Sequence, residues 1–439
     1  MKISIIGTGY VGLPTGVGFA ELGHDVVCID KMQSKIDYLN AGNLTLFEDG
    51  LEELFNKNRN CGRIKFTTDF SQISDVDFII ITVGTPQCPV SKEPDMKFVY
   101  AAAEDISPFL TGYTAIANKS TVLIGTSDKL ENIIKTTNPH ADFDLVAIPE
   151  FLREGFAVHD FFHPERIVVG VESEKAVAYV NKLYSVFHER LNILYVNRCS
   201  AELIKYASNA FLAIKLNFIN EIADLCEKVG ANVNDVAKCM GLDSRIGTKF
   251  LNPGPGYGGS CFPKDTNSLL YMAKQNGIDL SLVEATIIEN EARKSKMAKK
   301  ILNSVVGIEK PLISVWGLSF KAGTDDVRES PALQIIQELT SHAVDVIAFD
   351  PKAKDTAFSI LGNTISYADS AIESTVGADV LAVLTEWPEF KNVPLEKLQM
   401  RRKYIIDLRN ILDFDSAKSA GFTYVGIGNR EMKKSVNSD

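Results

Sequence analysis

Residues 2–30 read KISIIGTGYVGLPTGVGFAELGHDVVCID, and the architecture of the chain follows outward from them. KISII is apolar and β-prone, so it predicts a strand; Gly7-x-Gly9-x-x-Gly12 turns the chain into the helix-like PTGVGFAELG, and DVVCID returns as a second strand that ends on Asp30. This is the opening of a doubly wound α/β domain in which the first glycine permits a tight turn, the second lets a pyrophosphate approach the backbone, and the third packs helix against strand. The helix N-terminus then faces the anion, with Tyr10 and Val11 in the same turn. Asp30 lies 30 − 12 = 18 residues past Gly12, where a carboxylate that holds a ribose 2′-hydroxyl belongs. It would repel a 2′-phosphate, so the expected cofactor is NAD rather than NADP.

Further strand-like runs follow at 76–83 (VDFIIITV), 114–125 (TAIANKSTVLIG) and 144–151 (DLVAIPEF), with a helical pattern over 98–109. The alternation predicts a parallel sheet and a first domain that ends near 195–200. Residues 200–230 carry apolar positions at three- and four-residue steps and stop at Gly230. A helix of that length spans ~45 Å, long enough to join two domains and to pair with another subunit. A helical section continues to about residue 305, and after Pro311 the alternation resumes with LISVWGLSF, SPALQIIQELTS, DVIAFDP, ADVLAVLT and KYIIDLRNIL. The expected fold is therefore α/β: two Rossmann-like doubly wound domains (1–199 and 306–439) joined by a helical central domain (200–305) with a long connecting helix. The second turn, WGLSFKAGTDD, lacks the three-glycine fingerprint and should not bind a dinucleotide in the same way. The terminal EMKKSVNSD reads as a frayed polar tail.

A length of 439 residues fits two or three domains, and 45% hydrophobic with 23% charged residues excludes a disordered, collagenous or coiled-coil chain. The net charge, 46 − 56 = −10, disfavours nucleic acid and anionic membrane as partners, so an anionic ligand must meet a local positive site. No apolar run reaches the ~18 residues of a membrane span, and a cytoplasmic location is expected. Seven dispersed cysteines without a C-x-x-C pair support neither a disulfide framework nor a cysteine zinc site and fit a reducing compartment. His159 and His163 have metal-capable spacing but no evident third ligand, so they read as a surface helix end and no metal is expected.

The second chemical feature is GPGYGGSCFPKD, 254–265, where four glycines and two prolines expose Cys261 ahead of a helix-like TNSLLYMAKQNG. A helix N-terminus and Lys264 beside the thiol favour a thiolate nucleophile, and Asp265 is placed to hold water or move a proton. The other six cysteines read as small buried hydrophobes. Dinucleotide and nucleophilic cysteine together fit a two-step oxidation. An alcohol becomes an aldehyde, the thiolate traps it as a thiohemiacetal, and a second hydride loss gives a thioester that water hydrolyses to an acid.

GTGYVG (7–12), STV (120–122), PEFLREG (149–155), AELIKYASNAFLA (201–213), SRIG (244–247), GGSCFPKD (258–265) and FKAGTDDVRESPA (320–332) together resemble the UDP-glucose/GDP-mannose dehydrogenase family over nearly the whole chain. The resemblance implies NAD-dependent four-electron oxidation of the C6 alcohol of UDP-glucose to UDP-glucuronate, with two NAD⁺ and one water consumed. By resemblance Cys261 is the nucleophile, Lys205 stabilises an alkoxide or oxyanion with the support of Asn209, and Thr121 and Asp265 hold water or assist proton removal. Glu150 is assigned to thioester hydrolysis and Glu154 to the cofactor side, where Lys35, Thr85, Thr121, Lys264 and Arg328 join Gly7, Gly9, Tyr10, Val11, Gly12 and Asp30. The nucleotide sugar is assigned to Phe250, Leu251 and the glycine loop with Tyr257 and Gly258, to Phe320, Lys321 and Arg409, and to Glu150, Phe151, Leu152, Lys205 and Asn209. Arg245 resembles an arginine that reaches the site of a second subunit, so a homodimer is expected.

The family often has proline where this chain has Asp49 and Leu123. A histidine is common before the cysteine in N-acetyl-mannosamine relatives, whereas Ser260 here favours glucose over an N-acetyl-hexosamine or GDP-mannose substrate. A hydroxyacid or phosphogluconate-type dehydrogenase would need neither the cysteine nor a second α/β domain, and a non-catalytic nucleotide-sugar sensor would need no Cys261, Lys205 and Asp265 together.

Overall fold

The computed structural model describes residues 1–88, 92–187 and 191–429; the terminal EMKKSVNSD lies outside them. The chain divides into two compact units, one of Met1–Ser208 with Tyr271–Gly277, the other of Asn209–Leu270 with the chain from Ile278 onward. The boundary falls inside one 32-residue helix, Arg198–Val229, whose rise of ~1.5 Å per residue gives a rod of roughly 48 Å.

In the first unit, β1 (Lys2–Ile6), β2 (Asp25–Ile29), β3 (Ile64–Thr67), β4 (Phe78–Ile81), β5 (Thr114–Asn118), β6 (Phe143–Ala147), β7 (Ile167–Gly170) and β8 (Ile193–Val196) form one sheet in the order 3-2-1-4-5-6-7-8. All neighbours are parallel except β6 and β7. Alternate side chains of β4 supply the two cores, Phe78 and Ile80 on one face and Ile79 and Ile81 on the other. The run 114–125 is a strand only as far as Asn118. Beyond it the amides of Lys119 and Ser120 both donate to the Ile81 carbonyl, at 2.8 and 3.2 Å, which takes the chain out of the ladder and frees residues 119–125 as a loop.

In the second unit, β9 (Leu312–Trp316), β10 (Asp345–Phe349), β11 (Ser366–Tyr367), β12 (Val380–Val383), β13 (Tyr404–Asp407) and β14 (Thr423–Gly426) form a wholly parallel sheet in the order 11-10-9-12-13-14. This repeats the 3-2-1-4-5-6 order of the first sheet, and Gly317 after β9 takes φ +97° as Gly7 does after β1. The acid at the end of the second strand differs in its use. Asp350 is buried, and its Oδ2 accepts from the Leu318 and Ser319 amides at 2.7 and 3.0 Å and from Trp387 Nε1 at 3.1 Å, whereas Asp30 keeps part of its surface exposed. Helices Pro331–Ser341 and Ser281–Asn303 and the second half of the long helix cover one face of this sheet.

Candidate active site

At the dinucleotide turn of the first unit, a Cβ on Gly12 would lie 2.0 Å from the Gly7 carbonyl oxygen, and one on Gly7 would touch the Thr82 carbonyl at 3.0 Å. Gly9 has no protein atom within 4 Å of where its Cβ would be, which leaves the backbone approach that a pyrophosphate needs. Asp30 accepts from Thr8 N and Oγ1 at 3.1 and 2.8 Å and pairs with Lys35 Nζ at 2.9 Å. Burial pushes its carboxyl upward, but hydrogen bonds from Lys35, Thr8 and Met32 outweigh this and hold it below the usual aspartate range. These residues fit NAD: a glycine cradle at a helix N-terminus and an ionised acid for the ribose. Thr85 is buried in the loop after β4, and Glu154 is half-buried ahead of Gly155.

The same unit holds a buried charge cluster. Lys205 Nζ donates to Glu150 Oε1 at 2.7 Å, with side chains only 4 and 6% exposed, and Glu150 Oε2 accepts from the Leu152 amide at 2.7 Å. Arg153 pairs with Asp160 instead of either glutamate. The Phe151 ring lies under Arg166 at 4.2 Å and Lys205 at 5.6 Å. Lys119 keeps some surface exposed, but its ammonium is desolvated and close enough to Lys205 to be repelled, so despite the attraction of Glu150 its pKa falls to about 8. Ser120, Thr121, Glu202 and Lys205 line one small recess.

In the second unit, Cys261 stands directly before helix Phe262–Gln275, and its carbonyl accepts the amide of Asp265 at 2.8 Å, so the thiol sits where the helix dipole favours an anion. Asp265 is 1% exposed, with one oxygen held by Asn209 Nδ2 and the other by Lys264 Nζ, both at 2.6 Å. Lys205 and Asn209 are thus both buried, on successive turns of the long helix, and each holds a carboxylate. Of the other six cysteines, Cys28 and Cys226 are buried as expected, whereas Cys61, Cys88, Cys199 and Cys239 are exposed. They lie in loops or on helix positions that face solvent, which a residue this small occupies at little cost.

The glycine loop is gripped from several sides. Gly254 donates to Asn220 Oδ1 at 2.8 Å and accepts from Arg293 Nε at 2.6 Å; Tyr257 exchanges two bonds with Asn290, at 2.8 and 3.1 Å. A Cβ on Gly258 would lie 2.2 Å from the Glu329 carbonyl, and one on Gly259 would lie 2.7 Å from the Phe320 ring. Phe262 stands 6.0 Å from Phe250 and 6.1 Å from Tyr257. Arg409 reaches the Phe320 carbonyl at 3.2 Å, and its guanidinium lies where a Gly254 side chain would be. The structure so brings Tyr257, Gly258, Phe320 and Arg409 together, with Lys321 over the Phe320 ring at 5.5 Å, and Leu251 is buried. Arg328 is held by Asp326 at 2.6 Å, and Arg245 is exposed and held by Asp243 at 2.6 Å. His159 is exposed beside Asp160, and among the described residues no group of three or more metal-capable side chains gathers.

Lys119, Glu202, Asn220, Asn290 and Arg293 were not singled out in the sequence. Two local signals point to some of them: Glu202 is three residues from Lys205 on one helix face, and Asn220 and Asn290 are poor helix formers inside helices.

A dinucleotide turn, a helix-borne lysine and asparagine that each hold a buried carboxylate, and a cysteine at a helix N-terminus fit a dehydrogenase. Residues 1–188 match the NAD binding domain of the UDP-glucose/GDP-mannose dehydrogenase family, 199–292 its central domain and 314–414 its UDP binding domain. The chain is 45% identical over 435 residues to the UDP-glucose 6-dehydrogenase of Rhizobium meliloti (strain 1021), which covers 98% of this chain and 99% of that one. It is 44% identical over 442 residues to UDP-glucose 6-dehydrogenase TuaD of Bacillus subtilis (strain 168), covering 100 and 95%. A solved UDP-glucose dehydrogenase from Pyrobaculum islandicum superposes with a TM-score of 0.91 at 32% identity over 98% of both chains. The chain belongs to the UDP-glucose/GDP-mannose dehydrogenase family.

Proposed function

We propose that this protein is an NAD-dependent UDP-glucose 6-dehydrogenase that converts the C6 alcohol to a carboxylate, with residues 1–199 serving the cofactor, 200–305 the covalent chemistry and 306–439 the nucleotide. The reading is carried by the paired arrangement on the long helix, Lys205 on Glu150 at 2.7 Å and Asn209 on Asp265 at 2.6 Å, with Cys261 one turn before Asp265. Gly7, Gly9, Gly12, Asp30 and Lys35 hold NAD, which when bound accepts the hydride of each oxidation. The C6 hydroxyl loses its proton with the assistance of Thr121 and Asp265 as Lys205 stabilises the alkoxide. The Cys261 thiolate adds to the aldehyde carbon, and the resulting thiohemiacetal oxyanion is again held by Lys205 and Asn209. Loss of the second hydride leaves a thioester on Cys261. Glu150 takes a proton from the attacking water, the C–S bond breaks, and the thiolate is restored with release of the acid.

The glycine loop with Phe250, Leu251, Phe320, Lys321 and Arg409 receives the UDP-sugar, and Lys321 and Arg409 supply the local positive charge that a −10 chain needs for an anionic ligand. The partner is a second copy of this chain. Phe211, Phe218 and Leu225 recur at seven-residue steps on the long helix and are 63, 45 and 56% exposed, a repeat suited to helix pairing, and Arg245 serves the second subunit's sugar. Seven free cysteines fit the reducing cytoplasm, and no described helix is long and apolar enough to cross a membrane.

Glu150→Gln supplied with UDP-glucose and NAD⁺ accumulates the thioester, seen as an intact-mass increase of one UDP-glucuronyl group that hydroxylamine removes and that maps to Cys261. An adduct on another residue, or none with NADH still formed, refutes the covalent reading.

A further inference from the structure

Helix Thr126–Thr137 begins after Gly125, which takes φ +84° and has no side chain to cap the first turn. The cap comes instead from Glu202, far along the chain on the long helix. Its Oε2 accepts from the Gly125 amide at 2.6 Å, and its Oε1 accepts from Ser127 N at 2.9 Å and Ser127 Oγ at 2.7 Å. Glu202 is 4% exposed and forms no ion pair among the described residues, so this carboxylate is buried on neutral donors and the helix N-terminus alone. Burial raises its proton affinity even with the three donors in place. A local serine or aspartate would cap the helix without burying a charge. What the long-range cap adds is a tie between the end of the 119–125 loop, which carries Thr121, and the helix turn that carries Lys205. Thr121, Glu202 and Lys205 line the same recess, and the Thr121 hydroxyl has no protein partner among the described residues.

We propose that Glu202 is a positioning residue for the oxidation, holding the Thr121 loop to the Lys205 helix so that the Thr121 hydroxyl keeps its place in the recess. The inference rests on the dehydrogenase reading for its kinetic consequences, but its structural half stands apart from it. Glu202→Gln keeps the shape while removing the charge and one strong acceptor. Hydrogen–deuterium exchange of the 119–128 segment should then speed up, and kcat should fall by about 100-fold with little change in KM for UDP-glucose, as for a misplacement of order 1 Å. In a Thr121→Ala background the same change should cost less than about 3-fold, because the residue it positions is gone. Ser127→Ala, which deletes one of the three donors, should give an intermediate fall in kcat and checks the result should Glu202→Gln fold poorly. Unchanged exchange of 119–128, wild-type kcat in Glu202→Gln, or an equal loss with and without Thr121 overturns the proposal. A wild-type protein that forms no NADH from UDP-glucose would overturn the dehydrogenase reading alone, and the exchange result would still decide the tie.

Discussion

Replacing Lys205 by Met separates what the lysine does for the fold from what it does for the reaction. Its ammonium is one end of a nearly dry ion pair with Glu150, and without it the carboxylate keeps the Leu152 amide as its hydrogen-bond donor and Lys119 as its neighbouring cation. Breaking a buried pair from one side costs about 3–5 kcal/mol, because the desolvated charge stays behind. At ~2–4 °C per kcal/mol for a unit of this size, the thermal midpoint should fall by roughly 6–20 °C. Loss of a donor aimed at a developing oxyanion costs a further factor of about 10²–10³ in kcat. Calorimetry and NADH absorbance on Lys205→Met, Glu150→Gln and the double variant resolve the two effects. The double variant buries no uncompensated carboxylate and should recover most of the midpoint, whereas its kcat should stay as low as that of Lys205→Met. A Lys205→Met protein with an unchanged midpoint refutes the energetic reasoning, and a double variant that regains activity refutes the catalytic role.

Gly9→Val should leave the thermal midpoint within about 1 °C yet abolish NAD⁺ binding by calorimetry, since the new side chain meets no protein atom, whereas Gly12→Val should fail in folding because its Cβ would collide with the Gly7 carbonyl. Asn290→Ala removes two bonds from the Tyr257 backbone; at ~1 kcal/mol each, KM for UDP-glucose should rise about 10- to 30-fold with KM for NAD⁺ unchanged in initial-rate assays. Lys119 binds its proton less tightly folded than unfolded, so stability should rise as pH climbs from about 8 toward 10.5, where only the unfolded chain keeps that proton. Lys119→Met should flatten that rise in urea titrations across the window, and an identical pH dependence in both proteins refutes the assignment.

The first unit was legible from KISIIGTGYVG to Asp30 because the glycines, the helix and the acid are neighbours in sequence. The last two short strands were not: β7 and β8 are four residues each, and the reversal between β6 and β7 depends on a single bridge, Ala147 to Gly170. The second sheet was legible as an α/β repeat, but the two-residue β11 was not. In the site, Cys261 and Asp265 stood out because their glycine-rich loop concentrates chemistry locally, whereas Lys205 and Asn209 stood out only through the family resemblance of their helix. Glu202, Asn290 and Arg293 gain their roles from partners 75, 33 and 39 residues away, and that pairing exists only once the helices pack. Asp350 shows the opposite limit: an acid at the end of a second strand resembles Asp30 in sequence, and only the structure shows it buried under the Leu318, Ser319 and Trp387 donors while Asp30 keeps part of its surface exposed.

The covalent four-electron reading is tested most directly by counting NADH against UDP-glucose consumed to completion in a single-enzyme assay. Two NADH and one UDP-glucuronate per UDP-glucose, with Cys261→Ser unable to complete the turnover, is the expected result. One NADH per sugar with release of an aldehyde or ketone, or full stoichiometry from Cys261→Ser, contradicts it.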